Sequence, residues 1–228
     1  MGKNMVSLPP LNPQLTPPWL LLKLHCTHTV LSWAINKPGY VETDKIAWLQ
    51  VKSEDLPIDL NPKTYLQEQL SKKGLTDSVT LMTSRNVAAY KQLRVEHKGV
   101  VCQGIITLDL GNGSHVGYPD TTSTSYIPGT INIFCQTSQK LDATAMLEAI
   151  SIISQGRTAA LTEIACQIRS CPDPVTGTGT DNIALAIPTG DDGSCYAGLH
   201  TPAGQAIGKC AYELTKIAAI DWMTENGL

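Results

Sequence analysis

At 228 residues, 42% hydrophobic and 16% charged, the chain has the length and apolar content for one large domain. Its net charge of −3 gives no general pull toward nucleic acid or an anionic membrane surface, and its N-terminal apolar run is short and broken by Lys23, which suits neither a membrane span nor a signal peptide. Seven cysteines stand singly at positions 26, 102, 135, 166, 171, 195 and 210; this odd number without a CxxC pair points to a reducing cytoplasm rather than a disulfide framework. Cys166 and Cys171 have no companion histidine pair at zinc-finger spacing, so no structural zinc is expected there.

Taken in chain order, residues 1–18 form a proline-rich lead and residues 19–228 one domain. Leu20, Leu22, Leu24, Cys26 and Val30 alternate with Lys23, His25, Thr27 and Thr29, the period of two of a half-buried strand over 20–31. His25 and His28, three apart in that strand, fall on opposite faces, a poor arrangement for chelation. The loop at NKPGY leads to a second strand over 45–51, paired antiparallel with the first. Pro62 opens a helix that Gly74 ends after Lys73. Further β-rich runs lie at 78–83, 99–110 and 130–137, with a short helix between the first two.

The second half carries the longest helix. Asp142 is its N-cap, and Met146, Ile150, Ile153, Leu161, Ile164 and Ile168 recur at spacings of three and four, with Arg157 on the same stripe. The last helix runs from Pro202 to Glu225 behind Thr201, turning Ile207, Ala211, Leu214, Ala218 and Trp222 inward. The predicted class is α+β: a mixed, largely antiparallel sheet packed with two long helices.

VTGTGTDNIALAIP (175–188) sets a loop of almost no side chain against Asp181 and an apolar strand. Glycine lets a main chain approach a ligand, threonine supplies small donors and acceptors, and strand ends are where sites collect. The loop matches neither a P-loop nor a dinucleotide fingerprint. Three segments share its character: LDLGNGSHVG with Asn112, PGTINI with Asn132, and YAGLHTPAGQAIG with His200 before a helix. A helix N-terminus disfavours protonated histidine, so His200 is expected to be neutral and available as a base.

The ordered set GTINI (129–133), RTAAL (157–161), TGTGTDNIALA (176–186) and YAGLHTPAGQAIG (196–208) resembles the adenosylcobinamide amidohydrolase family of corrinoid salvage, over roughly residues 80–215. The family usually places Glu and Lys where this chain has Gln155 and Arg157. The resemblance implies hydrolysis of the amide joining the aminopropanol arm of adenosylcobinamide to the corrin ring, giving adenosylcobyric acid and 1-amino-2-propanol. Amide hydrolysis needs an activated water or nucleophile, an oxyanion site and a proton for the leaving amine. Asp181 and His200 are the expected catalytic residues; Asn112, Asn132, Arg157, Thr178, Gly179 and Thr180 are expected to bind substrate. No cofactor is firmly predicted and the residues leave metal dependence open, since cobalt enters with the corrinoid substrate; Trp33, Tyr40, Trp48 and Tyr126 are candidates to cover its apolar faces, core packing being their more usual role. A corrinoid-binding carrier without catalysis, or a hydrolase of another amide, fits the same residues.

Overall fold

The computed structural model describes residues 6–57, 59–117, 128–164, 174–190 and 192–228. Tyr126, Cys166, Ile168 and Cys171 lie outside these residues. One sheet takes the strand order β4 (Val79–Thr83), β3 (Gly39–Gln50), β2 (Trp19–Ser32), β10 (Asn182–Pro188), β8 (Thr130–Thr137), β6 (Val100–Asp109), β5 (Lys91–His97), with β1 (Gln14–Thr16) also paired to β2. Among the described residues, its pairings are antiparallel except at β3–β4 and β8–β10. A small ribbon joins β7 (Gly113–Ser114) to β9 (Gly177–Thr178). The architecture is α+β with a mixed, largely antiparallel sheet, as the interleaved periodicities indicated.

Helices cover one sheet face. α2 (Ala143–Glu163) buries Met146, Ile153 and Leu161, and α3 (Pro202–Glu225) buries Ile207, Ala211, Leu214, Ala218 and Trp222. Both share a core with Ile131, Ile133, Ile183 and Leu185. Asp142 caps α2 by accepting from the Ala145 amide at 2.8 Å, and Thr201 caps α3 by accepting from the Gly204 amide at 2.9 Å. α1 (Pro62–Lys73) lays Leu66 and Leu70 on Trp19, Ala47 and Leu49. Asn61 caps it, and Gly74 ends it in the left-handed conformation.

The other face curls on itself. Leu20, Leu22, Ile46, Trp48, Leu81, Phe134, Ala184 and Ala186 fill the hollow, where Trp48 and Phe134 meet edge to face at 6.3 Å. The curl brings edge strand β4 within reach of β8, since the Asn132 amide donates to the Met82 carbonyl at 2.7 Å. Phe134→Ala empties the centre of this hollow. It is expected to cost about 3–5 kcal/mol, read from the urea midpoint at constant m-value.

Three elements differ from their sequence-based expectation. Between 83 and 99 there is no α-helix: one 3-10 turn (Val87–Ala89) is followed by β5, which forms a hairpin with β6 through Lys98 (φ 47°) and Gly99 (φ 83°). Both positive φ values suit a two-residue hairpin turn, and Leu93 and Val95 of β5 pack into the helical core. The proline-rich lead does not stand apart. Leu8 is buried, β1 pairs with β2, and the Pro9 carbonyl accepts from Gln103 Nε2 at 2.8 Å.

The third difference is a bulge in β2. The register between β2 and β3 shifts between Lys23 and His28, so the alternation of sides fails there. His25 and His28 therefore do not diverge: their rings meet at 5.1 Å, and their nitrogens lie within 4.8 Å of each other and of Cys26 Sγ. Buried His28 also ends a polar row across the curled face. Arg94 Nη1 donates to Gln103 Oε1 (3.0 Å), Gln103 Nε2 to Gln136 Oε1 (2.9 Å), Gln136 Nε2 to His28 Nε2 (2.8 Å), and His28 Nδ1 to the Cys26 carbonyl (2.8 Å).

Candidate active site

β8 and β10 begin side by side, with Asn132 opposite Asn182, and the loop at 176–181 enters at this point. Thr130 Oγ1 donates to the Thr180 carbonyl at 2.8 Å, and Thr180 Oγ1 returns a bond to the Gly129 carbonyl at 2.9 Å. Asn112 wedges against both segments. A Cβ on Gly129 would lie 2.5 Å from Asn112 Oδ1 and 2.6 Å from its main-chain nitrogen, and one on Gly179 would lie 4.0 Å from Asn112 Nδ2. Three Gly-rich segments far apart in sequence thus meet, each lacking a side chain where the next one passes. Among the described residues, Asn112 Oδ1 and Asn182 Oδ1 are buried without a hydrogen-bond partner.

Asp181 organises the loop. Its Oδ1 accepts from the Thr178 hydroxyl (2.5 Å), the Thr178 amide (3.1 Å) and the Ile131 amide (3.1 Å); its Oδ2 accepts from Arg157 Nη1 at 2.5 Å. Trp33 Nε1 donates to the Asp181 carbonyl at 2.7 Å. Burial pushes the Asp181 carboxyl above its ordinary range, against the pull of Arg157 and of the Thr178 and Ile131 donors. A Cβ on Gly177 would stand 2.6 Å from Asp181 Oδ2 and 3.3 Å from Arg157 Nη2, so this position has room only for glycine.

The loop forms a wall between two cavities. One, of about 640 Å³, is rimmed by Leu56, Pro57, Leu60, Met82 and Ser84 and reaches Gly129, Asn132, Thr180 and Asn182. The other, of about 540 Å³, is lined by His115, Arg157, Thr178, Gly179 and Asp181. The expected residues Asn112, Asn132, Arg157, Thr178, Gly179, Thr180 and Asp181 are therefore one assembly.

His200 is not in it. It is exposed in the turn before α3 and borders neither of the two cavities. That turn is anchored where the Ala197 amide donates to Glu148 Oε2, about 14 Å along α2 from Arg157. The reason is topological: Asp181 precedes β10 and His200 follows it, so the strand's length separates them. The histidine that does line the second cavity is His115, whose Nδ1 donates to the Pro174 carbonyl at 2.7 Å. Its signal was its place in GNGSHVG, a segment singled out for Asn112 alone. Of the aromatic residues, Trp33 borders the loop, Tyr40 donates to the Ala143 carbonyl at 2.9 Å, and Trp48 is core. Gln155 is exposed on α2.

A family model described as adenosylcobinamide amidohydrolase (CbiZ) matches residues 10–227. The chain belongs to the adenosylcobinamide amidohydrolase family. The match extends well beyond residues 80–215 and takes in part of the lead, as well as the bulged strand. An uncharacterized protein of Methanocaldococcus jannaschii is 42% identical over 84 residues, covering 36% of this chain and 32% of that protein. An adenosylcobinamide amidohydrolase of Halobacterium salinarum is 28% identical over 94 residues, covering 41% and 37%. The chain thus matches about a third of the length of these curated relatives. Two solved structures are loosely similar: a β-aminopeptidase of a Burkholderia species (TM-score 0.45, 10% identity, covering 90% of this chain and 78% of that one) and a protein of Pyrococcus horikoshii OT3 (0.43, 12%, 97% and 83%). Among the described residues, no helix is long and apolar enough to cross a membrane.

Proposed function

We propose that the chain hydrolyses the amide between the aminopropanol arm and the corrin ring of adenosylcobinamide, releasing adenosylcobyric acid and 1-amino-2-propanol in corrinoid salvage. The observation that carries this reading is the wall at 177–181, which separates a cavity rimmed by Leu56, Pro57, Leu60 and Met82 from a second one that holds the charged and titratable side chains Arg157, Asp181 and His115. An apolar macrocycle edge suits the first cavity, and an amide reaching over the wall is presented to the second. Family membership supports an amidohydrolase, and the specific substrate rests on that family's name.

Each chemical requirement has a group at the wall. His115, held through its Nδ1–H on the Pro174 carbonyl, lines the second cavity, where a histidine serves as base or proton carrier. Arg157 and the Thr178–Thr180 main chain supply positive potential for an oxyanion and then for the product carboxylate. Asp181 fixes both, and once ionised it supplements His115 in drawing a proton from water.

Incubating the protein with adenosylcobinamide, with mass spectrometry for both products, tests the reaction. Binding without release of aminopropanol would make the chain a carrier, and turnover of simple amides without corrinoid would make it a hydrolase of another class. His115→Ala is expected to lower kcat/KM at least about 100-fold, while His200→Ala leaves it within about twofold. The reverse ranking would return the proton-transfer role to His200.

A further inference from the structure

Three cysteines that the reaction does not use converge in the core beneath α3. Cys102 of β6 pairs across from Thr137, and Cys135 of β8 pairs across from Gly104, so the two thiols are diagonal neighbours on the helix-covered face. Cys210 descends from α3 onto them. All three side chains are fully buried, none is in a disulfide, and their sulfurs lie within 4.8 Å of one another. They belong to the same apolar core as Ile106, Ile133, Ala211 and Leu214, with buried Thr137 opposite Cys102.

We propose that Cys102, Cys135 and Cys210 form a three-sulfur site for a soft monovalent cation, cuprous copper being the type. Thiol sulfur selects soft ions, and a trigonal ion with metal–sulfur bonds of about 2.3 Å sets its sulfurs about 4 Å apart, close to the spacing already present. The apolar surroundings favour three-coordination over the four-coordinate geometry that zinc prefers. Each thiol that bonds the ion gives its proton to solvent, so the ion is held by thiolate sulfur, the ligand type that selects cuprous copper. The second cluster, His25, Cys26 and His28, is less suited. The amides of Gln103 and Gln136 are fixed by Arg94 and the Pro9 carbonyl, so Gln136 presents its NH2 to His28 Nε2, and His28 Nδ1 carries the proton.

The site is closed in the folded chain, so the ion must enter during folding. Reduced full-length chain is refolded without oxygen in one equivalent of cuprous acetonitrile complex, then challenged with a chromophoric cuprous chelator. The proposal expects one copper retained per chain and an X-ray absorption spectrum with three sulfur neighbours and no nitrogen. Cys210→Ala and Cys102→Ala, checked by circular dichroism for folding, are expected to weaken retention more than 10-fold. A variant with Cys26, Cys166, Cys171 and Cys195 all changed to Ser keeps it. Loss of copper from the unaltered chain, a nitrogen neighbour, or retention unchanged in both alanine variants overturns the proposal. The spectrum of the unaltered chain decides it even if a variant fails to fold.

Discussion

Asp181→Asn is expected to abolish measurable turnover, lowering kcat/KM by about three orders of magnitude, and to destabilise the fold by about 3–5 kcal/mol. The new amide has one oxygen and one NH2, whereas every contact of the carboxylate is with a donor. With its oxygen toward Thr178 and Ile131, the NH2 faces Arg157; with the amide turned over, it faces two main-chain N–H groups. Either way Arg157, with only 16% of its side chain exposed, loses its counter-charge. Steady-state kinetics with adenosylcobinamide and a denaturant melt measure the two effects separately. Unchanged turnover would remove Asp181 from the site.

The pH dependence follows from the same carboxyl. Its folded-state value is raised by burial, so the ionised form is lost at a higher pH than for an ordinary carboxylate. The acid limb of kcat/KM is therefore expected above about pH 4, and Asp181→Asn removes that limb along with the activity. For stability the sign is opposite. A raised carboxyl value means that the folded chain holds this proton more tightly, a contribution present below about pH 4 and lost as pH rises through the folded value.

Gly129→Ala is the second change with a large expected effect. Its new methyl would meet Asn112 Oδ1 at 2.5 Å, the Asn112 nitrogen at 2.6 Å and the Asp109 carbonyl at 3.0 Å. Two of these are main-chain atoms, so no rotamer change relieves the overlap; the loop after β6 must move. Overpacking of this kind costs about 1–3 kcal/mol, and here the displaced loop also carries His115. The expected result is a loss of at least about 100-fold in kcat/KM with a smaller fall in melting temperature. A variant that melts several degrees lower yet turns over normally would show that the three-loop junction is scaffolding alone.

The regular elements were legible because their periods were clean. The stripe on α3 from Ile207 to Trp222 and the caps at Asp142 and Thr201 needed only local rules. Strand β5 was hidden because Lys91, Arg94, Glu96 and His97 dilute an alternation that rests on Leu93 and Val95 alone. The β2 bulge was hidden because an irregularity in a strand leaves no mark on composition, yet it brings the rings of His25 and His28 together where strict alternation sets them apart. Within the site, the Gly-rich segments announced themselves and their joining did not. The same character in YAGLHTPAGQAIG led to His200, which the length of β10 carries to the far end of the sheet, while His115 stood unremarked beside Asn112. The three core cysteines are 33 and 75 residues apart along the chain, and only the strand register and the path of α3 unite them.

The polar row from Arg94 to Cys26 has a sense of direction. Each amide hands a hydrogen to the next, and Arg94, which can only give, starts the sequence. No member can turn over alone, because one reversed amide sets donor against donor on one side and acceptor against acceptor on the other. The row therefore behaves as a line of dominoes: it stands whole or falls whole. Since Gln103 also holds the Pro9 carbonyl, the seating of the proline-rich lead and the shape of the bulge at the opposite end are one event.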